Sequence, residues 1–252
     1  REFAMATVLN GLTLHGGVRV FGGTFFVFSD YLKAALRLSA LQNLPVTYVF
    51  THDSIAVGED GPTHEPIEHL ASLRTIPNTY VFRPADATEA QAAWYLSQKV
   101  NNKPTSLVLT RQNLPVLENT SFEKVSKGAY VVYETAADFD TILIATGSEV
   151  ALAIDVAREL EKDGSKVRVV SMPSVELFEE QSKEYKEELL PLNIRRRVSL
   201  EMGNSALWYK YVGLDGLAIG IDKFGASAPA NKVIEEYGFT VEAVVEKIKN
   251  EL

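Results

Sequence analysis

With 252 residues, 46% of them apolar, no cysteine, and 25 basic against 33 acidic side chains for a net charge of -8, the chain suits one large globular domain or two compact ones and excludes a disordered tail. The acidity disfavours nucleic acid or an anionic membrane as bulk partner, leaving room for a small phosphorylated ligand in a local cationic pocket, and the lack of cysteine excludes disulfides and thiolate chemistry. No apolar run reaches the roughly 18 residues that span a bilayer and the first residues lack the order of a signal peptide, so a soluble, cytoplasmic protein is expected.

In chain order, Gly22-Gly23 precede Phe25, Phe28 and Tyr31 at i, i+3 and i+6, and helical spacing follows over 31–42. Short β-branched and aromatic runs at 45–50, 79–82 and 106–110 read as strands, with helices at 65–74 and 87–100 between them. Such alternation is an α/β unit with a mostly parallel sheet. Past Arg111 to Pro115 the apolar periodicity lapses through a polar stretch to about Gly128, the expected interdomain linker. Alternation then resumes, with strands expected at 141–145, 167–170, 198–200 and 217–221 and helices at 148–162, 182–190, 229–237 and 240–250. Two α/β domains, each a mostly parallel sheet flanked by helices, are therefore expected over 1–116 and 129–252, joined by 117–128.

The stretch from Thr51 to Pro66 packs two histidines and several acids between a strand and a helix, which core packing does not require. His52 and Asp53 follow a strand end, where ligands of parallel α/β sheets sit, although a lone histidine more often hydrogen-bonds its own loop. Gly58, Glu59, Asp60, Gly61 and His64 follow within twelve residues, so a glycine-hinged segment presents carboxylates and a second imidazole to one place, suited to a ligand rich in hydroxyls. A zinc helix is disfavoured, because His64 and His69 stand at i and i+5 with Pro66 between them and His69 reads as a helix-surface residue. Gly147-Ser148 follows a strand, but the Gly-x-Ser-x-Gly elbow of a hydrolase is missing. Thr146 to Glu149 could hold an anion at a helix N-terminus, but an ordinary N-cap explains it better. The aromatic triplet reads as core by spacing alone, while Gly22-Gly23 would let a backbone approach a flat ligand. Arg111 and Gln112 follow another strand end, where an arginine fork suits phosphate, or simply the surface.

The motifs Arg-Glu-Phe-Ala-Met at 1–5, Gly-Gly-Thr-Phe at 22–25, Thr-His-Asp-Ser-Ile at 51–55 and Gly-Glu-Asp-Gly-Pro-Thr-His at 58–64 stand in order with Arg-Pro-Ala-Asp at 83–86, Arg-Gln-Asn-Leu-Pro at 111–115, Ala-Thr-Gly-Ser-Glu-Val at 145–150 and Gly-Ile-Asp-x-Phe-Gly-Ala-Ser at 220–227. Together they resemble the pyrimidine-binding and C-terminal domains of a transketolase, the first domain being incomplete at its N-terminus. The resemblance implies transfer of a two-carbon ketol unit between sugar phosphates, with thiamin diphosphate and Mg2+ or Ca2+, in a cytoplasmic homodimer of the pentose phosphate pathway. It implies that Glu2 protonates the cofactor's aminopyrimidine, that Phe25, Phe28 and Tyr31 line the pyrimidine pocket, that His52 and Arg111 bind the sugar phosphate, that Asp60 recognises the substrate's 2-hydroxyl, and that His64 sits next to the reacting hydroxyls. The Gly-Pro-Thr-His step at 61–64 favours transketolases over dihydroxyacetone synthases and other relatives. No stretch resembles the family's diphosphate- and metal-binding domain, so a piece of a larger enzyme, inactive alone, is expected. One subunit of a split enzyme, or a noncatalytic assembly module, is the alternative.

Overall fold

A computed structural model describes residues 1–252. It opens with α1 (Glu2–His15), β1 (Phe21–Phe25), α2 (Ser29–Leu41), β2 (Thr47–Thr51), α3 (His69–Arg74), β3 (Tyr80–Phe82), α4 (Ala87–Lys99) and β4 (Thr105–Leu109). The four strands form an all-parallel sheet in the order β1-β2-β4-β3. Aromatic and β-branched residues at Tyr48, Phe50, Val81 and Val108 make one face, onto which Ala6, Leu9, Leu32, Leu36, Leu70 and Leu73 pack from α1, α2 and α3. A buried polar knot pins α1 there. Asn10 Nδ2 donates to the Ala35 carbonyl at 3.0 Å and Ser39 Oγ donates to Asn10 Oδ1 at 2.6 Å, with Tyr48 Oη 2.8 Å from the same hydroxyl.

The second half carries β5 (Tyr130–Glu134), β6 (Thr141–Ala145), α5 (Glu149–Glu161), β7 (Val167–Ser171), α6 (Val175–Glu179), α7 (Lys183–Leu189), β8 (Arg196–Leu200), α8 (Tyr209–Val212), β9 (Leu217–Ile219), α9 (Ala230–Glu236) and α10 (Val241–Glu251). Its sheet runs β5-β7-β6-β8-β9, parallel except for β5, which pairs antiparallel with β7 at the edge. Two α/β units with mostly parallel sheets are thus present. No helix is long and apolar enough to cross a membrane.

Helices α1 and α3 and the expected linker show where local pattern yields to packing. Helix α1 buries Ala6, Leu9 and Asn10 but leaves Phe3, Val8, Leu12 and Leu14 exposed, so its apolar residues trace no single stripe. Helix α3 begins at His69, not 65, because the residues before it form an irregular turn through Pro66. The expected linker is tied down: the Leu117 amide and the Thr120 hydroxyl both donate to Asp86 Oδ2, at 2.9 and 2.6 Å, and Val125 is buried.

The two halves share one core. The largest apolar cluster holds 33 buried residues and runs from Ile55, Phe82 and Leu107 into Leu143, Val198 and Ile248. Through it passes a chain of buried charges. Arg83, fully buried, donates from Nε to Asp53 Oδ2 at 2.9 Å, from Nη1 to the carbonyl and hydroxyl of Thr146 at 2.9 Å each, and pairs with Glu149 through both Nη atoms. Arg74 makes a bidentate bond to Glu201 at 2.7 and 2.8 Å, and Glu201 also accepts from Trp208 Nε1 at 3.0 Å. Burial would raise the Glu201 carboxyl, but the Arg74 charge and its hydrogen bonds hold it down to about 2. Removing one member of such a network strands a buried charge. We expect Arg83→Ala to cost about 3–5 kcal/mol of unfolding free energy, measured by denaturant titration; a loss under about 1 kcal/mol would mean that water or rearrangement satisfies Asp53 and Glu149.

Candidate functional site

Register decides what meets at the open edge of the first sheet. Phe25 pairs with Thr51 and Thr51 with Leu109, so β1, β2 and β4 end in one row. Phe25, His52 and Arg111 therefore emerge side by side at the carboxyl edge, where parallel α/β sheets bind ligands. Helix α1 packs beside β1. Five residues separate α1 from β1, which forces the chain to reverse, and Met5 and Leu9 both lie against Gly22. Helix α1 therefore lies against β1, with Glu2 one turn before Met5. Glu2 is part-exposed there and pairs with the Arg1 α-ammonium at 2.7 Å, which draws its carboxyl below the ordinary range.

An aromatic ladder occupies the edge. The His52 ring stacks on Phe25 with centroids 3.6 Å apart and planes 19° from parallel, and Phe25 lies within 9° of parallel to Phe28 at 6.3 Å. Phe28 continues to Tyr31 at 6.0 Å and meets the edge of His64 at 5.6 Å. Phe26 alone of this segment turns inward, into the core against Phe50. A short 3-10 turn over Phe26–Phe28 produces this split, placing Phe25 and Phe28 on one side and Phe26 on the other.

His52 takes a left-handed backbone conformation, φ 63°, rare for a residue with a Cβ and typical of functional sites. Partial burial pulls its imidazole pKa below 6.5, and the positive charge of Arg111 pulls it further, while Asp60 and Asp53 oppose. His52 is thus neutral at pH 7 and lies within electrostatic reach of Arg111, Asp60 and His64. The assembly offers a flat apolar surface, a carboxyl group, two imidazoles and a guanidinium, which suits a planar nitrogen heterocycle beside a hydroxylated anion.

Several expectations need correction. Gly22 and Gly23 serve internal packing: a Cβ at Gly22 would lie 2.7 Å from Leu9, and one at Gly23 3.0 Å from the Val49 carbonyl. Ser148 takes the N-cap position expected of it but makes no side-chain cap bond, and the turn before it accepts the Arg83 guanidinium; Gly147 has φ 56° and a Cβ there would fall 2.6 Å from the guanidinium carbon. Asp53 turns inward to the same arginine. His69 is buried, 3.2 Å from Asp30 and 5.6 Å from the Phe26 ring, since it opens α3 rather than lying along it. Asp30, Glu68 and His69 come close enough to share a cation, but the Lys33 ammonium already stands 3.4 Å from Asp30.

Composition gave no sign of Arg83, Glu201 or Glu65. A charged residue inside an otherwise apolar strand end, as at Phe82-Arg83-Pro84, was the available signal for the first. A 390 Å3 cavity between the two halves, lined by Arg74, Glu176, Trp208 and Tyr211 among others, contains none of the expected site residues.

Comparison with known proteins gives the assembly its context. Residues 1–116 match the transketolase pyrimidine-binding domain and residues 128–240 the transketolase-like C-terminal domain. The chain belongs to the transketolase family. It is 71% identical over 250 residues to a probable transketolase of Streptococcus pneumoniae, a match covering 99% of this chain and 38% of that protein. A transketolase of Pichia stipitis in complex with sedoheptulose 7-phosphate superposes with a TM-score of 0.95 at 44% identity, over 100% of this chain and 36% of that one. An inactive β4 tetramer of a split-gene transketolase gives 0.83 at 25% identity, over 100% of this chain and 82% of that one. The chain thus spans little more than a third of the length of its single-chain relatives. Transketolases depend on thiamin diphosphate, whose pyrimidine the first domain is named for.

The field at His52 is testable by NMR. Arg111→Gln should move the His52 titration upward toward 6.5, because one of the three effects lowering it, with burial and the neighbouring His64, is gone. An unchanged titration would place Arg111 out of reach of the ring.

Proposed function

We propose that this chain is the pyrimidine-side half of a transketolase site and that the whole protein moves a two-carbon ketol unit from a ketose phosphate to an aldose phosphate. The observation that carries the reading is the ladder of His52, Phe25, Phe28 and Tyr31 at one sheet edge. Thiamin diphosphate, when bound, supplies the carbanion chemistry that cleaves and re-forms a carbon–carbon bond beside a carbonyl. The residues fit its pyrimidine: the faces of Phe25 and Phe28 left free by His52 suit a flat ring, with Tyr31 beyond them. Glu2 holds a proton against the ring nitrogen, acting as the proton relay. Its present partner, the Arg1 ammonium, does not exist where a chain continues ahead of residue 1.

His52 and Arg111 bind the sugar phosphate, Arg111 through its fork and His52 as a neutral donor. Asp60 accepts from the 2-hydroxyl of the aldose phosphate, which is the 4-hydroxyl of the corresponding ketose phosphate, and His64 stands at the reacting hydroxyls as a general acid–base. The complex of the Pichia stipitis protein with a ketose phosphate supports that substrate class. We divide the chain into a pyrimidine domain over 1–116, a connection over 117–128 and a C-terminal domain over 129–252. The cofactor's diphosphate and its Mg2+ or Ca2+ are assigned to the part of the protein outside this chain, and the working protein to a cytoplasmic homodimer. Exposed Phe3, Val8, Leu12, Leu14, Val18 and Phe21 form the surface that those parts cover. The likeness to the split-gene protein supports a second reading, a separate subunit, whereas the 71% relative carries this sequence within a longer chain and favours the first.

In the full-length enzyme, Glu2→Ala is expected to lower kcat by about 10²–10⁴ with the fold intact by circular dichroism. Near-normal turnover would remove Glu2 from the relay. Calorimetric titration of the 252-residue chain alone with thiamin diphosphate and Mg2+ should give no measurable binding. Tight, metal-dependent binding would mean that this chain itself holds the diphosphate.

A further inference from the structure

Glu65 follows His64 and is 2% exposed, a carboxyl group buried directly behind the proposed substrate loop. Across from it lies the second domain. The turn carrying Gly225, Ala226 and Ser227 follows β9 and returns to the first domain, and there glycines on both sides leave no room for a further side chain. A Cβ at Gly225 would fall 1.6 Å from Glu65 Oε2, and one at Gly61 2.9 Å from Ser227 Cβ. Gly61 has φ 73°, so no larger residue adopts its conformation without strain. The Ser227 hydroxyl donates to the Glu59 carbonyl at 2.6 Å. The segment 58–65, which includes Asp60 and His64, is thus fastened from behind at Glu59, Gly61 and Glu65. Neither Glu65 oxygen has a well-aligned partner, although the amides of Ala226 and Gly58 face them. Burial accordingly pushes the carboxyl up to about 7, the two amides opposing.

A buried, weakly satisfied carboxyl is costly and is not needed to fill space there. We propose that Glu65, seated against Gly225 of the second domain, is a positioning residue that fixes the loop carrying Asp60 and His64 at the substrate, so that the C-terminal domain shapes a site to which it contributes no contact. This rests on the transketolase reading of Asp60 and His64. Displacing a substrate-binding group by about 1 Å costs up to 10²-fold, so the seam is a lever on substrate affinity from a domain without catalytic residues.

The test is kinetic, in the full-length enzyme, with xylulose 5-phosphate as donor. Gly225→Ala, which drives a methyl group into the Glu65 carboxyl, and the milder Ser227→Ala, which removes the hydroxyl bond, should each raise the donor KM, by about tenfold and about threefold, with kcat little changed. Introduced into Asp60→Ala, both should lose most of their effect, because the group they position is gone. A folded Ser227→Ala and Gly225→Ala with wild-type KM would overturn the proposal, as would full additivity with Asp60→Ala. If Asp60→Ala itself leaves KM and kcat unchanged, the transketolase assignment of Asp60 fails, and the clamp with it. If Asp60→Ala is impaired and the seam variants are not, the clamp alone fails.

Discussion

The structure depends on a guanidinium with no access to water. Arg83 ends a strand of the first sheet, yet its charge is neutralised by Asp53 from the first half and Glu149 from the second, with two further bonds to Thr146. A buried charge of this kind is tolerable only when all its partners are in place, and the partners come from β2's exit loop and from α5. The two sheets are therefore not independent bodies joined by a tether. Main-chain bonds reinforce the point, with the Arg83 amide donating to the Pro173 carbonyl at 2.8 Å and its carbonyl accepting from Gly147 at 3.0 Å.

This arrangement has a direct bearing on the site. Asp53 is held by Arg83, and the adjacent His52 is forced outward onto Phe25. One residue faces the core and its neighbour faces the ligand edge, so the interdomain lock also sets the pitch of the aromatic ladder. Stability and site geometry share the same dipeptide.

Much of the fold was legible because the strands are short β-branched runs and most helices carry one apolar face. Strand β6 falls at its expected residues, α4 ends one residue early, and α5 is one residue shorter at each end. Helix α1 was not legible, since its exposed Phe3, Val8 and Leu14 spoil the period of a surface helix. Nor was β5, an antiparallel edge strand following a polar stretch. The loop from Thr51 to His64 declared itself through charge and imidazole density where no core demanded them. Its supports did not, because Gly225 and Ser227 lie more than 160 residues away and a close approach of two backbones leaves no local pattern. The glycine pair at 22–23 is ambiguous for a similar reason: closeness to a ligand and closeness to a neighbouring helix or strand look alike in one dimension.

The left-handed backbone at His52 restricts what can replace it. Glycine, asparagine and aspartate adopt φ near 60° readily, while β-branched and bulky residues do so at a cost of order 1–3 kcal/mol. Redesign of substrate range at this position therefore has a short alphabet. Asparagine keeps the turn and a donor but removes the ring stacked on Phe25, and glycine keeps only the turn, so the evolutionary routes away from histidine here run through the loss of the aromatic ladder's first rung.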